Sequence, residues 1–317
     1  MAANWVRRTV LLAVCASAAL LAACGSSTTE SAITPDRFIA FGDANNDVGQ
    51  NGSLYTVNDG SVNNWTLQLT SNYGKTLTPV SAGGLSYAVG NARITAQPDA
   101  AGNTSTLTLS DQITAYLASD SFGDNDVVLM SGGVSDVIVG MAAVQAGTQT
   151  EDEMVAAARQ AGADMATQVQ RLVDAGAKHV VVVGTYDLGR TPWAATIGRE
   201  DLLSSASSRF NEGLKIGIVD LGANVLYVDL AYYVNLYTSS PASYGFNNAV
   251  DPVCTSVDSG NGIGIGTGQV NSSLCTTSTL VSGASQDTYV FADPVYLTPL
   301  AHRLFGTYAY DLLSARW

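Results

Sequence analysis

The sequence predicts an α/β fold, a three-layer sandwich in which a mainly parallel sheet is flanked by helices. Three observations carry that expectation. Short apolar runs alternate along the chain with longer stretches of helical periodicity. One run, Val180-Val181-Val182-Val183, is β-branched throughout, as in a strand covered on both faces. Asp43, Ser135 and Asp293 each fall just past an apolar run, where parallel sheets gather their working groups.

The strands are expected over Arg37–Gly42, Asp126–Ser131, His179–Gly184, Asn224–Val228 and Thr288–Phe291. Between them, Glu151–Ala175 carries a helical stripe of Met154, Ala157, Ala161, Met165, Val169, Leu172 and Val173, and Gly176 supplies its stop. Leu202–Leu221 and Thr298–Ser314 also read as helices. The second opens with Thr298 at its cap and Pro299 in the first turn. No repeat and no further boundary interrupts residues 36–317, which read as one domain large enough to bury a substantial core.

Residues 1–23 read as a targeting segment. Arg7 and Arg8 precede an apolar stretch, Thr9–Leu21, that is too short to span a bilayer. The segment ends in Leu21-Ala22-Ala23-Cys24, which resembles a bacterial lipobox and implies a lipid on Cys24; the alternative is an ordinary cleaved signal with Cys24 incidental. Gly25, in place of the aspartate associated with inner-membrane retention, points to the outer membrane. Residues 24–35 are then a polar tether.

Without Arg7 and Arg8 the mature chain has 12 basic residues against 27 acidic ones, a formal charge of −15. That balance excludes nucleic acid as a partner and also electrostatic docking on anionic lipid. Membrane attachment falls to the lipid anchor. Cys254 and Cys275 are the cysteines left to the domain, and in an oxidising compartment they are expected to form a disulfide. Two thiols without neighbouring histidines make a poor zinc site.

The most recognisable motif is Phe41-Gly42-Asp43-Ala44-Asn45-Asn46-Asp47-Val48-Gly49. It resembles the first block of the SGNH/GDSL family of bacterial lipases and esterases, in which a serine after Gly-Asp is the nucleophile. Three further segments follow in the family's order: Gly84–Arg93, then Ser131-Gly132-Gly133-Val134-Ser135-Asp136, then Asp293–His302. Tyr186–Pro192 and Arg209-Phe210-Asn211 match recurrent segments that read as structural. The resemblance implies an ester hydrolase with an oxyanion hole built from the residue-44 amide, Gly90 and residue 135. It implies Asp293 as the acid that orients a base at 296, and no cofactor.

The catalytic positions depart from that pattern. Ala44 stands at the nucleophile, Ser135 at the oxyanion-stabilising asparagine and Tyr296 at the base; of four defining positions only Gly90 is kept. A methyl group cannot attack an ester. A phenol, with a reference pKa of about 10, is a poor base at neutral pH. The chain's two histidines are His179, which reads as structural, and His302, which matches the family's second, non-catalytic histidine. Asp43, Asn45 and Asp47 have the alternate spacing of a calcium loop, but Gly49 comes one residue late and Leu54 sits where the bidentate glutamate belongs.

Three readings follow. The leading one is a pseudoenzyme that binds an acyl or acetylated ligand. The second is an unconventional esterase using Tyr296, His302 and Ser135. The third is a structural or partner-binding lipoprotein, its protein partner unknown. They differ in whether the cleft bounded by Ala44, Gly90, Ser135 and Asp293 stays open.

Overall fold

The computed structural model describes residues 33–317; the leader, Cys24 and most of the tether lie outside them. In chain order the elements are β1 (Phe38–Gly42), α1 (Trp65–Asn72), α2 (Leu109–Ser119), β2 (Val127–Ser131), α3 (Val134–Gln145) and α4 (Glu151–Asp174). There follow β3 (His179–Val183), α5 (Pro192–Ile197), α6 (Glu200–Gly217), β4 (Val225–Val228), α7 (Leu230–Ser239), β5 (Asn248–Pro252), β6 (Tyr289–Phe291) and α8 (Pro299–Arg316). Among the described residues no helix is long and apolar enough to cross a membrane.

Strands β1 to β4 form one parallel sheet in chain order, with Phe38, Val127 and His179 level at its amino end. Every residue of β1 and β2 is buried, which explains their unbroken apolar runs. A further segment lies along the free edge of β1. Ala40 N–H donates to the Leu85 carbonyl, Tyr87 N–H to that of Ala40, and Val89 N–H to that of Gly42. Residues 85–89 thus serve as a rudimentary strand, and β1 is flanked on both sides. The chain leaves β1 in one direction and returns past it in the other, so a crevice is expected at the carboxyl end of β1.

The helices pack in two layers. On one face α4 packs along α6, with α2 and α3 beside it; on the other α1 packs against α8. Helix α4 starts at Thr150, whose hydroxyl accepts from Glu153 N–H while the Glu153 carboxylate accepts from Thr150 N–H. Helix α8 starts at Thr298 with Pro299 first, as expected. Helix α6 begins two residues earlier than its apolar stripe suggests and ends at Gly217, with a short 3-10 turn over Val219–Leu221.

The main correction concerns the fifth strand. The run ending at Phe291 pairs with β5, outside the four-stranded sheet. At only three residues, β6 is folded back on itself: Ala292 N–H donates to the Tyr296 carbonyl and Thr298 N–H to that of Val290. Between β5 and β6 runs a long loop closed by the expected Cys254–Cys275 disulfide, whose Cα atoms are 5.9 Å apart. The disulfide packs with Val57, Val253 and Ala292 in a small second core. Closing a loop of that length stabilises the fold by something on the order of 3 kcal/mol in the chain-entropy account.

Candidate active site

Four chain segments converge at the carboxyl end of β1. The strand itself delivers Asp43 and Ala44, and the segment along its edge delivers Gly90. Strand β2 leads through Gly132-Gly133 to Ser135 in the first turn of α3, and the turn after β6 delivers Asp293 and Tyr296. Ala44 is 2% exposed, while Ser135, Asp293 and Tyr296 are fully buried, as is the Gly90 backbone.

The first block is held by its own polar side chains. The Asn46 amide donates to the carbonyls of Phe41 and Leu129, and its oxygen accepts from Trp65 Nε1 (2.9 Å) and Ser131 Oγ (2.8 Å). Every hydrogen-bonding group of that buried amide is satisfied, which fixes β1 against β2. Asp47 Oδ1 accepts from Gly49 and Gln50 N–H, and Oδ2 accepts from Gly90 N–H at 2.8 Å. This corrects one expectation: the Gly90 amide is committed to Asp47 and does not stand free for an oxyanion.

Asp293 also differs from its expected role of orienting a base. Its Oδ1 accepts from the amides of Val295 and Tyr296 (2.8 and 2.7 Å), and its Oδ2 from that of Ser272 (2.9 Å). The carboxylate shapes the turn and ties it to the disulfide-closed loop. Tyr296 then turns its ring into the crevice, against Tyr55, with ring centroids 5.4 Å apart at 64°. Tyr55 in turn covers Gly90, where an added Cβ would lie 2.0 Å from the ring. Tyr55 is positioned by its neighbours: Thr56 Oγ1 donates to the Leu297 carbonyl, and Asn58 N–H to that of Cys275.

Two phenol rings thus pack together beside Gly90. None of five surface cavities, of about 220 to 640 Å³, is lined by Ala44, Gly90, Ser135, Asp293 or Tyr296.

With the geometry in place, comparison with known proteins is direct. The family model described as GDSL-like Lipase/Acylhydrolase matches residues 38–308. The chain belongs to that family. Similar curated proteins include an uncharacterized protein in the trpE-trpG intergenic region of Pseudomonas putida, 27% identical over 207 residues, which are 64% of this chain and 31% of that protein. The esterases EstA of Pseudomonas aeruginosa and Pseudomonas putida are each 31% identical over 147 residues, 44% of this chain and 20% of theirs. The chain thus spans a third or less of the length of these relatives.

Within this GDSL-like member three buried polar atoms near residue 44 meet no hydrogen-bonding partner: Asp43 Oδ2, Ser135 Oγ and the Tyr296 hydroxyl. Burial raises the Tyr296 phenol well above its ordinary range, and Asp43 adds the largest charge effect. The ring stays protonated and cannot act as a base. His302 lies in the first turn of α8, buried; burial, with help from Arg303, pushes its imidazole down to about 3. So weak a base abstracts a serine proton poorly at neutral pH. His179 stacks edge-on against Trp317 and touches the Asp126 carbonyl at the sheet's amino end, away from this site. Among the described residues no group of three or more His, Cys, Asp or Glu side chains could hold a metal ion.

Sequence reasoning missed Tyr55, Asn46 and the role of Asp47. It read Tyr186 as part of a structural segment but not its contact, a hydroxyl donating to the Val295 carbonyl at 2.6 Å, nor the pair Arg93–Asp136 at 3.1 Å. The resemblance alone marked Asp47 and Asp136 as members of blocks without saying what they hold.

The buried carboxyls give a pH prediction. Burial, with a smaller push from Asp136, raises Asp43 from 3.8 to about 7, against backbone amides that lower it. The folded state thus binds a proton that the unfolded chain has released. This stability is complete below pH 4 and is lost as pH rises towards 7, a difference on the order of 4 kcal/mol. Asp47 and Asp293 shift the same way. Buried His302 acts in the opposite sense between pH 5 and 6.5, so the test is a comparison: in urea unfolding at pH 5 and pH 8, Asp43→Asn should gain stability relative to the parent at pH 8. An unchanged difference between variant and parent at the two pH values would remove Asp43 from the account.

Proposed function

We propose that this GDSL-like protein is a non-hydrolytic member of its family, carried on the cell envelope by a lipid on Cys24 and acting through binding rather than turnover. One observation supports the reading above the others: residue 44 is an alanine with no nucleophilic atom, and it is 2% exposed. In serine hydrolases nucleophile and base work as a unit, and loss of either leaves roughly 10³–10⁴-fold catalysis over water from the remaining site. Here both positions are altered, and residue 44 is buried.

The same burial shifts the balance among binding partners. An acyl or acetylated ligand held against Ala44 requires the surrounding side chains to move. A protein partner engaged on the outer surface of these loops requires no such movement. The reading therefore places the contact on the surface. The similarity to two esterases supports the frame, and this chain covers a fifth of those proteins.

The test is direct. Purified mature protein should hydrolyse short- and long-chain p-nitrophenyl esters at the buffer rate and take up no fluorophosphonate. Turnover within tenfold of an ordinary esterase, or an adduct on any serine, would falsify it. In cells, Cys24→Ser should block fatty-acid labelling and processing; normal labelling of that variant would overturn the envelope anchoring.

A further inference from the structure

We propose that a cavity at the carboxyl ends of β3 and β4, on the opposite edge of the sheet from β1, binds a neutral polyhydroxylated ligand, a saccharide. The site is independent of the crevice at residue 44 and of the lipid on Cys24.

The cavity has a volume of about 320 Å³. It is walled by Asp187 from the turn after β3, Ser208, Asn211 and Lys215 of α6, Asp229 next after β4, and Asn235 of α7. That volume is about the share of ten water molecules, the room taken by one sugar ring with its hydroxyls. In open parallel sheets the space outside the carboxyl ends of strands is where ligands are held.

Two groups on this wall lack partners. Asn211 is 6% exposed; its Nδ2 donates to the Thr185 carbonyl at 2.7 Å, which fixes which end of the amide is oxygen, and its Oδ1 meets no donor. Asn235 Oδ1 is likewise buried without a donor. A buried amide oxygen left unmet is costly, and two on one cavity wall point to donors brought from outside. The carboxylates beside them are held ready. Asp187 Oδ1 accepts from Gly189 N–H at 3.1 Å and from Ser204 Oγ at 2.6 Å. Asp229 Oδ1 accepts from Tyr232 N–H at 3.0 Å, which leaves Oδ2 without a protein donor.

The charges decide the class of ligand. Asp187 pairs with Arg190 at 3.4 Å. Lys215 enters no ion pair among the described residues and shares the cavity wall with Asp229, its ammonium 5.8 Å from the centre of the Tyr227 ring. With one cation for each carboxylate, the wall carries no net charge to draw a cationic ligand. A calcium ion, which takes about six to eight oxygens, would also face the Lys215 ammonium. The lining is mixed: acceptors are unmet at Asn211, Asn235 and Asp229, while Lys215, Ser208 and Asn235 Nδ2 offer donors. An amine brings donors alone and a carboxylate acceptors alone. A hydroxyl both donates and accepts, so neighbouring hydroxyls on one ring match both sets.

The experiment is saturation-transfer NMR on the purified mature protein with glucose, galactose, mannose and N-acetylglucosamine at millimolar concentrations. It is read together with the Asn235 side-chain amide peak, identified by its loss in Asn235→Ala. At least one sugar should give saturable transfer and shift that peak. Asn235→Ala should then weaken binding about three- to tenfold, and Asp229→Asn about tenfold or more, with asparagine keeping the cap of α7. Ser208→Ala, at an exposed position, weakens it in the same sense without risk to the fold. Absence of saturable binding for all four sugars overturns the proposal, as does undiminished affinity in all three variants. A peak that moves with calcium chloride or ethylammonium chloride and with no sugar also overturns it, and assigns the cavity to a cation.

Discussion

Placing serine at 44 and histidine at 296 together is expected to return measurable but poor ester hydrolysis, and neither change alone should return any. Nucleophile and base are useful only as a pair. The Tyr296→His change also removes the phenol packed against Tyr55. The recovered activity is limited by what the structure leaves around it. The Gly90 amide is held by Asp47, so an oxyanion would rely on the residue-44 amide and Ser135 Oγ. One missing oxyanion donor costs about 10²–10³ in rate, and the double variant should fall short of an ordinary esterase by at least that factor. Asp293 already accepts three backbone amides and would have to take an imidazole N–H in addition to them. The readouts are kcat/KM on p-nitrophenyl butyrate and fluorophosphonate labelling at residue 44. Labelling of Ala44→Ser alone would reveal a base elsewhere. A folded, unlabelled double variant that gains labelling on further Tyr55→Ala would assign the remaining block to that ring.

The largest effect on folding is expected from Gly42→Ala. Gly42 has φ +145°, and a Cβ there would lie 2.1 Å from the Ser131 carbonyl oxygen of β2. Neither strand can give way easily. Gly42 exchanges two hydrogen bonds with the Gln112 side chain, at 2.8 and 2.9 Å, while Asn46 bridges β1 to β2 through Phe41, Leu129 and Ser131. Destabilisation should exceed about 4 kcal/mol, enough to lose soluble folded protein. Gly102→Ala is the control. Its φ is +95°, but nothing lies within 4 Å of the added carbon, so only backbone strain of about 1–3 kcal/mol is expected. Similar midpoints for the two variants in urea would show that the strands separate readily at residue 42.

The sheet was legible because its strands are buried on both faces, which leaves continuous apolar runs such as Val180–Val183 and cappable helices such as Thr150–Asp174 between them. Short helices were less legible. Helix α3 buries Val134, Val137, Ile138 and Met141 and is apolar almost all round, so its periodicity is faint. The candidate site was legible in identity, since motif order alone named residues 44, 90, 135, 293 and 296. Its packing was not. Tyr55 reaches Tyr296 because Thr56 is bonded to Leu297 and Asn58 to Cys275, contacts across more than 200 residues that no local pattern encodes. The capture of Gly90 by Asp47 and the departure of β6 from the main sheet were hidden for the same reason. Each depends on which distant backbone group happens to be nearest.

The packed pair of Tyr55 and Tyr296 has a consequence for the lineage. A working hydrolase keeps a notch beside its nucleophile, and so forgoes packing that a filled core would supply. Rings of this size bury on the order of 150–250 Å² each, and sealing such a notch adds stability. On the proposed reading, the packing gained by the Tyr296 ring is offset in part by its buried hydroxyl, which meets no partner. Return to hydrolysis is hindered all the same. Serine restored alone is a buried hydroxyl without a base, and histidine restored alone leaves a hole with nothing to activate, so each single reversion weakens the protein and gains no chemistry. The tyrosines act as a ratchet, holding the fold in its silent form after the selection that first allowed the loss has passed.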